Sequence, residues 1–333
     1  MMTQAIQHAV RTADTAIAGA YLKLGKERNA LMSFLFHSVF RSEEEMAKNL
    51  ADPLDRTTVE KFRHFIEHYL SHGYEFVGPD ALMNGLPDNK KYALITFDDG
   101  YFNNTLILPV LDEFDVPALF FIATDNVQQN KSFWWDALYR ARMAQGASLD
   151  DIKNDGDELK DLRNHEIEQL LIERYGPDVL CPRSDIDRPF TPAELRDFAR
   201  NPHVHLGNHT ASHGILLNYT PEEVKQQVLG AQAALREMAG VDPVAIAYPN
   251  GGHTDTIVNS CGEMGLKFGF TVRPKKIPLP LTNQAQSLLR LGRFCFHGEQ
   301  AIEAQCRTYR SDLQLYGLFR DLYLRLRGGA VTR

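Results

Sequence analysis

Eight short apolar runs, separated by segments of helical character, restrict the fold of this chain more than any other feature. They are Leu31–Phe36, Tyr74–Val77, Ala93–Phe97, Pro117–Ala123, Val204–Gly207, Val244–Tyr248, Lys267–Val272 and Leu291–Phe296. An apolar run of this length, bounded by turn residues, reads as a strand buried on both faces, and strands that alternate with helices build parallel sheets through helical crossovers. The helical segments carry their own punctuation. Thr57 and Glu60 have capping-box spacing ahead of the stripe Phe62, Ile66 and Tyr69, and Gly73 is placed to end that helix in a left-handed turn. Thr220, Pro221 and Glu223 repeat the device before Val224, Val228 and Leu235, with Gly240 at the stop. At 333 residues the chain holds two average domains or one large α/β barrel.

The strand rhythm stops between about residues 126 and 192. Residues 150–187 carry twelve acidic and five basic side chains, so this stretch reads as an acidic, helical insertion with a solvated face. It opens on Phe133, Trp134 and Trp135. Neighbours on a helix point about 100° apart, so one tryptophan packs in a core while the other, Trp135, is the candidate to face a ligand. Outside a body spanning residues 31–300, both ends of the chain have helical spacing. Residues 1–30 present Ile6, Ala9, Val10, Ala13, Ile17, Ala20, Tyr21 and Leu24, an amphipathic helix expected to pack on the body. Residues 301–333 present Leu315, Leu318, Phe319, Leu322 and Leu326 beside Arg320, Arg325 and Arg327, a basic amphipathic helix that docks on the body or touches an anionic membrane surface.

Composition narrows the function classes. With 44% hydrophobic and 24% charged residues and no apolar run of about 18, the chain is neither disordered nor membrane-spanning. A net charge of −7 disfavours capture of nucleic acid. The first forty residues lack the pattern of an export signal, so a cytoplasmic location is expected, at most at the inner face of the membrane. The four cysteines form no CxxC pair and are read as reduced thiols.

Two motifs carry chemistry. The third apolar run ends directly in Asp98 and Asp99, followed by Gly100 and Tyr101. Ligands gather at the carboxyl ends of strands in barrels and open α/β sheets, and adjacent carboxylates there repel unless a cation, a base or a proton resolves the conflict. The second motif follows the strand ending at Gly207, where His209 and His213 stand four residues apart. On a helical turn such positions share a face and can grip one metal ion. Two imidazoles and one carboxylate leave a coordination position open, as in catalytic zinc sites. His37, at the end of the first run, is expected at the same end of the strands as the aspartates. The motifs HExxH, GxSxG, GxGxxG and the Walker loop are absent.

With these residues in place, the sequence resembles the polysaccharide deacetylases, the NodB homology or carbohydrate esterase family 4 group. TFDDGY at 96–101 is similar to their first motif, HTASH at 209–213 to their second, and AYPNG at 247–251 to their third. The resemblance implies a distorted (β/α)7 TIM-like barrel carrying the helical insertion. It implies Asp99, His209 and His213 as metal ligands, zinc as the usual metal, and Asp98 as the base for the attacking water. The substrate it implies is an N-acylated sugar or glycan, attacked at the amide carbonyl in glycan or envelope assembly. Asn250, after Pro249, stands where a backbone N–H would stabilise the developing oxyanion. FHSV around His37 is similar to the YHxV of many members, and Tyr101, Trp135 and Tyr248 complete the expected substrate contacts. Two departures stand out. Ala247 occupies the position of an arginine that orients the base, which leaves Arg290 and Arg293 as candidates to supply that cation. The helper histidine near the chain's end is matched only by His297. The substituted third motif keeps open a deformylase or amidohydrolase acting on a non-sugar amide, and, from another class, a carbohydrate-binding homologue without turnover.

Overall fold

In the computed structural model, which describes residues 4–25, 27–281, 287–296 and 300–313, all eight expected strands form. In chain order they are β1 (Ala30–Phe36), β2 (Tyr74–Phe76), β3 (Lys91–Phe97), β4 (Ala118–Ile122), β5 (Val204–Asn208), β6 (Ala245–Ala247) and β7 (Phe268–Phe270), then a two-residue β8 (Ile277–Pro278), then β9 (Arg293–Cys295). β8 is too short, and half proline, to leave a periodic signal.

Seven strands run parallel in the order β7-β6-β5-β4-β3-β1-β9. A parallel bridge from Phe270 to Leu291 connects the two ends of that order and nearly closes the barrel. The barrel is distorted at the amino ends of its strands. There β2 pairs with the start of β3 and β8 runs antiparallel to the start of β1, while β4 and β9 pair further along the same two strands.

The pleat decides which residues reach the site, because alternate side chains face the barrel interior. Leu31, Tyr92, Leu94, Leu119, Phe121 and Ala247 fill that interior. Continuing the same parity past the strand ends aims Leu35 and His37 of β1, Thr96 and Asp98 of β3, and Gly207 and His209 of β5 at the mouth. The opposite parity packs a phenylalanine layer against the surrounding helices, with Phe34, Phe36, Phe65, Phe97 and Phe120 all at 0% exposure. Rings meet edge-on or offset, as for Phe36 and Phe62 at 5.4 Å and 83°, and each buried phenylalanine contributes about 1.5–3 kcal/mol. Gly207 is inward and must be glycine. A Cβ there would lie 2.5 Å from Phe121 Cδ1.

The helix at Val59–Ser71 is capped one residue later than its sequence pattern indicates. Thr58 accepts from the Lys61 N–H, because the Thr57 carbonyl is already bonded to the Phe40 N–H at 2.9 Å. The helix at Pro221–Ala239 has the full Thr220–Glu223 capping box and ends at Gly240 with φ 71°. The insertion contributes helices at Trp134–Ala144, Leu149–Leu159 and Asn164–Tyr175, with a small core built on Trp134, Leu138, Ile167 and Leu171. The helix at Gln4–Leu24 lies along the helix at Ile302–Arg310, joined through Thr15 and Thr308. Its inner face is set by Asp14 and Ala18, while Ala13, Ala20 and Leu24 of the expected stripe are exposed; a polar neighbour accommodates a polar face. The stripe from Leu315 to Leu326 lies outside the described residues. Among those described, no helix is long and apolar enough to cross a membrane.

Candidate metal centre

β3 delivers its two carboxylates by continuing its ladder one step and then breaking it. The Asp98 N–H still bonds the Phe36 carbonyl at 2.9 Å. Asp99 then turns into the left-handed region at φ 77°, and Gly100 follows at φ 91°, where a Cβ would meet Ile122 Cδ1 at 3.1 Å. Left-handed backbone is costly for any residue with a Cβ and is retained where the surroundings over-determine it. Here the Ala123 N–H holds the Asp99 carbonyl at 3.1 Å and the Phe190 N–H holds that of Gly100 at 3.3 Å.

His209 and His213 do not lie on a helical turn, contrary to the reading of their spacing. They sit in an irregular loop in which Thr210 (φ 64°) and His213 (φ 53°) are both left-handed. A β-branched residue in that region needs strong local support. The Asn208 side chain accepts from the Thr210 N–H at 2.7 Å, Thr210 Oγ1 accepts from the Gly214 N–H at 2.8 Å, and Gln227 Oε1 accepts from the Ser212 N–H at 3.1 Å. This hydrogen-bonded loop, rather than helical geometry, brings the imidazoles to a centroid separation of 4.7 Å.

Asp99, His209 and His213 offer three ligand atoms within 4.8 Å of one another. Asp99 Oδ1 is 3.4 Å from Nε2 of each histidine, yet this buried oxygen has no hydrogen-bond partner among the described residues. An anionic oxygen left unpaired beside two imidazole nitrogens is costly unless a cation occupies the space between them. His209 donates Nδ1–H to the Ala247 carbonyl at 2.9 Å, which orients the ring with Nε2 facing Asp99. Burial, reinforced by His209, pushes the His213 imidazole down to about 3, so it stays neutral, the form that binds metal. Two imidazoles and a carboxylate fit a divalent ion such as zinc, with a position left open.

Asp98 is held differently. Arg293, fully buried on β9, donates Nη1–H to Asp98 Oδ1 at 2.7 Å and Nη2–H to Oδ2 at 2.8 Å. Its remaining donors reach Thr96 Oγ1 and the Thr271 carbonyl, both at 3.1 Å. Burial alone would raise the Asp98 carboxyl, but Arg293 and His209 outweigh it and hold it at about 2. Of the two arginine candidates, Arg293 is the one at the site; Arg290 pairs with the exposed Asp255.

His37 faces the same space and donates Nδ1–H to Asp55 Oδ2 at 2.6 Å. Burial lowers an imidazole, yet the carboxylate of Asp55, with Asp99 and Asp98 behind it, lifts His37 to about 10. Asp55 has no signature in the sequence, since nothing local marks a loop carboxylate 18 residues away. A further chain joins the insertion to the site. Trp135 Nε1–H donates to Tyr101 Oη at 2.8 Å, Tyr101 donates to buried Asp136 at 2.8 Å, and the Trp135 ring lies 4.5 Å from that of His213.

These groups open into one cavity of about 690 Å3, lined by His37, Tyr101, Trp135 and Asn250 together with Asp98 and the three metal donors. Its size is that of a small-molecule site. Tyr248 is a correction. It is completely buried and donates to the Leu289 carbonyl at 3.0 Å, packed outside the barrel wall and away from the cavity. The parity of β6 accounts for this, since Ala245 and Ala247 take the inward positions. His297 lies outside the described residues.

A sequence profile described as "Polysaccharide deacetylase" matches residues 85–269, more than half of the chain. No curated protein matches. Among solved structures, the Streptococcus pyogenes deacetylase PplD, in complex with acetate, is 18% identical with a TM-score of 0.56, over 85% of this chain and 99% of that one. IcaB from Ammonifex degensii is 16% identical with a TM-score of 0.55, over 85% and 98%. A Bacillus cereus polysaccharide deacetylase is 16% identical with a TM-score of 0.57, over 85% and 69%. These likenesses agree on the barrel. The profile match establishes that the chain belongs to the polysaccharide deacetylase family, hydrolases of carbon–nitrogen bonds other than peptide bonds.

Proposed function

We propose that this protein removes an N-acyl group, acetyl in the first instance, from an amino sugar, with zinc held by Asp99, His209 and His213. The observation that carries the reading is the unpaired Asp99 oxygen between two imidazoles, beside a second carboxylate locked by Arg293 in the same cavity. A zinc ion held there would lower the pKa of a bound water to about 7 and would polarise the amide carbonyl.

The chain's own groups supply the rest. Asp98, kept anionic and fixed by two hydrogen bonds, accepts the proton of the attacking water. The Asn250 N–H, presented by a turn whose φ is 54°, receives the oxyanion that develops on the carbonyl oxygen. His37, protonated through Asp55, gives a proton to the amide nitrogen as the carbon–nitrogen bond breaks, so the products are a carboxylate and a free amino sugar. This gives His37 the acid role that the sequence pattern assigned to His297.

Acetate and formate release from N-acetyl and N-formyl amino sugars by the zinc-loaded protein tests the reading. Asp98→Asn is expected to lower turnover by about 10²–10⁴-fold. Undiminished release by that variant rules out Asp98 as the base.

A further inference from the structure

The cavity over the metal donors is ringed by loops from around the barrel rim. Leu54 comes from the segment after β1, Trp135 and Asp161 from the insertion, Leu217 from the segment after β5, and Val272 and Phe296 from the ends of β7 and β9. The insertion is a fastened wall with bonds at both flanks. Toward the β1 segment, Asp136 accepts from the Asp52 N–H at 2.7 Å, Tyr139 donates to Asn49 at 2.9 Å, and Arg140 donates to the Leu50 carbonyl at 3.3 Å. Toward the β5 segment, the Asn218 amide donates to the carbonyls of Lys160 and Leu162, both at 2.9 Å. Arg163 pairs with Glu223 at 2.8 Å and lies over the Tyr219 ring.

A sugar inside a polymer has a neighbour on each side and needs a groove with two exits. A cavity whose wall runs from the β1 segment through the insertion to the β5 segment closes one of them. We propose, resting on the deacylase reading above, that the substrate is the sugar at a chain end, or the only sugar of a conjugate, and that interior sugars are excluded. The exclusion comes from the insertion wall.

The test uses the full chain loaded with zinc. Its probes are N-acetylglucosamine and N-acetylgalactosamine pentamers and the corresponding methyl glycosides. Acetate is counted per chain, and tandem mass spectrometry locates the free amine. The expected result is one acetate per pentamer, with the amine on a terminal sugar, and turnover of a methyl glycoside within about tenfold of its pentamer. Amines at interior positions overturn the proposal while leaving the deacylase reading intact. No acetate from any probe overturns both. In the double variant Arg163→Ala/Asn218→Ala, which unfastens the wall, interior amines are expected beside terminal ones. If that variant keeps its circular dichroism spectrum and still yields terminal amines alone, the wall is not the cause and the proposal fails.

Discussion

Replacing Arg293 by methionine isolates the role of the buried arginine. Methionine approximates the length of the side chain but keeps none of its donors, so Asp98 loses both short hydrogen bonds and Thr96 and the Thr271 carbonyl lose one each. The Asp98 side chain is only 5% exposed, and stranding a buried charge by removing its partner costs about 3–5 kcal/mol. In a large domain each kcal/mol moves the melting temperature by about 2–4 °C, so a fall of roughly 6–20 °C is expected. The assay is a double-mutant cycle followed by calorimetry. Asp98→Asn removes the stranded charge, so Asp98→Asn/Arg293→Met should recover about 1–3 kcal/mol relative to Arg293→Met alone. Acetate release should fall about a hundredfold or more in Arg293→Met at temperatures where it remains folded, because the base has lost its orientation. A double variant no more stable than Arg293→Met, or a melting temperature unchanged by Arg293→Met, would refute the reasoning.

Three other expectations follow from the geometry. A general acid loses activity as pH rises through its pKa, and Asp55 is what lifts His37 to about 10 against the effect of burial. Wild-type kcat/KM should therefore hold through neutral pH, and Asp55→Asn should bring its alkaline limb down below neutrality; an unmoved limb removes His37 from the acid role. Gly207→Ala places a Cβ 2.5 Å from Phe121 Cδ1, which should cost about 1–3 kcal/mol in chemical denaturation, with partial recovery on adding Phe121→Leu; a neutral Gly207→Ala contradicts the inward parity of β5. Asp52, Asp55, Asp157 and Asp161 line the cavity, and Lys160 is already paired with Asp157 at 2.8 Å. A nucleotide-diphosphate sugar should therefore turn over at least about tenfold more slowly than the methyl glycoside, and equal rates would show that this acidic lining does not select.

The barrel and the residues at its mouth were legible because they depend on period and on position at strand ends. Eight apolar runs became strands, and Asp98, His37 and His209 follow strands whose pleat aims them inward, with Asp99 next in the chain. What failed to read was conformation between strands. A spacing of four fits a helical turn, but Thr210 and His213 adopt left-handed backbone that only the tertiary bonds of Asn208 and Gln227 support. Tyr248 could have been set aside from sequence, since Ala245 and Ala247 claim the inward parity of β6. Arg293 could have been preferred to Arg290 in the same way, being in register with inward Ser33. Asp55 and Asp136 left no local signal, because each acts through a contact that only the folded chain creates.

If three side chains from β3 and the loop after β5 hold one ion, that ion can be seen directly. A crystal structure of the protein grown with zinc, with anomalous data at the zinc edge, tests it most directly. A single peak is expected about 2.0–2.2 Å from a carboxylate oxygen of Asp99 and from Nε2 of both His209 and His213, lost in His213→Ala. A peak bound elsewhere, or one that omits Asp99, would contradict it.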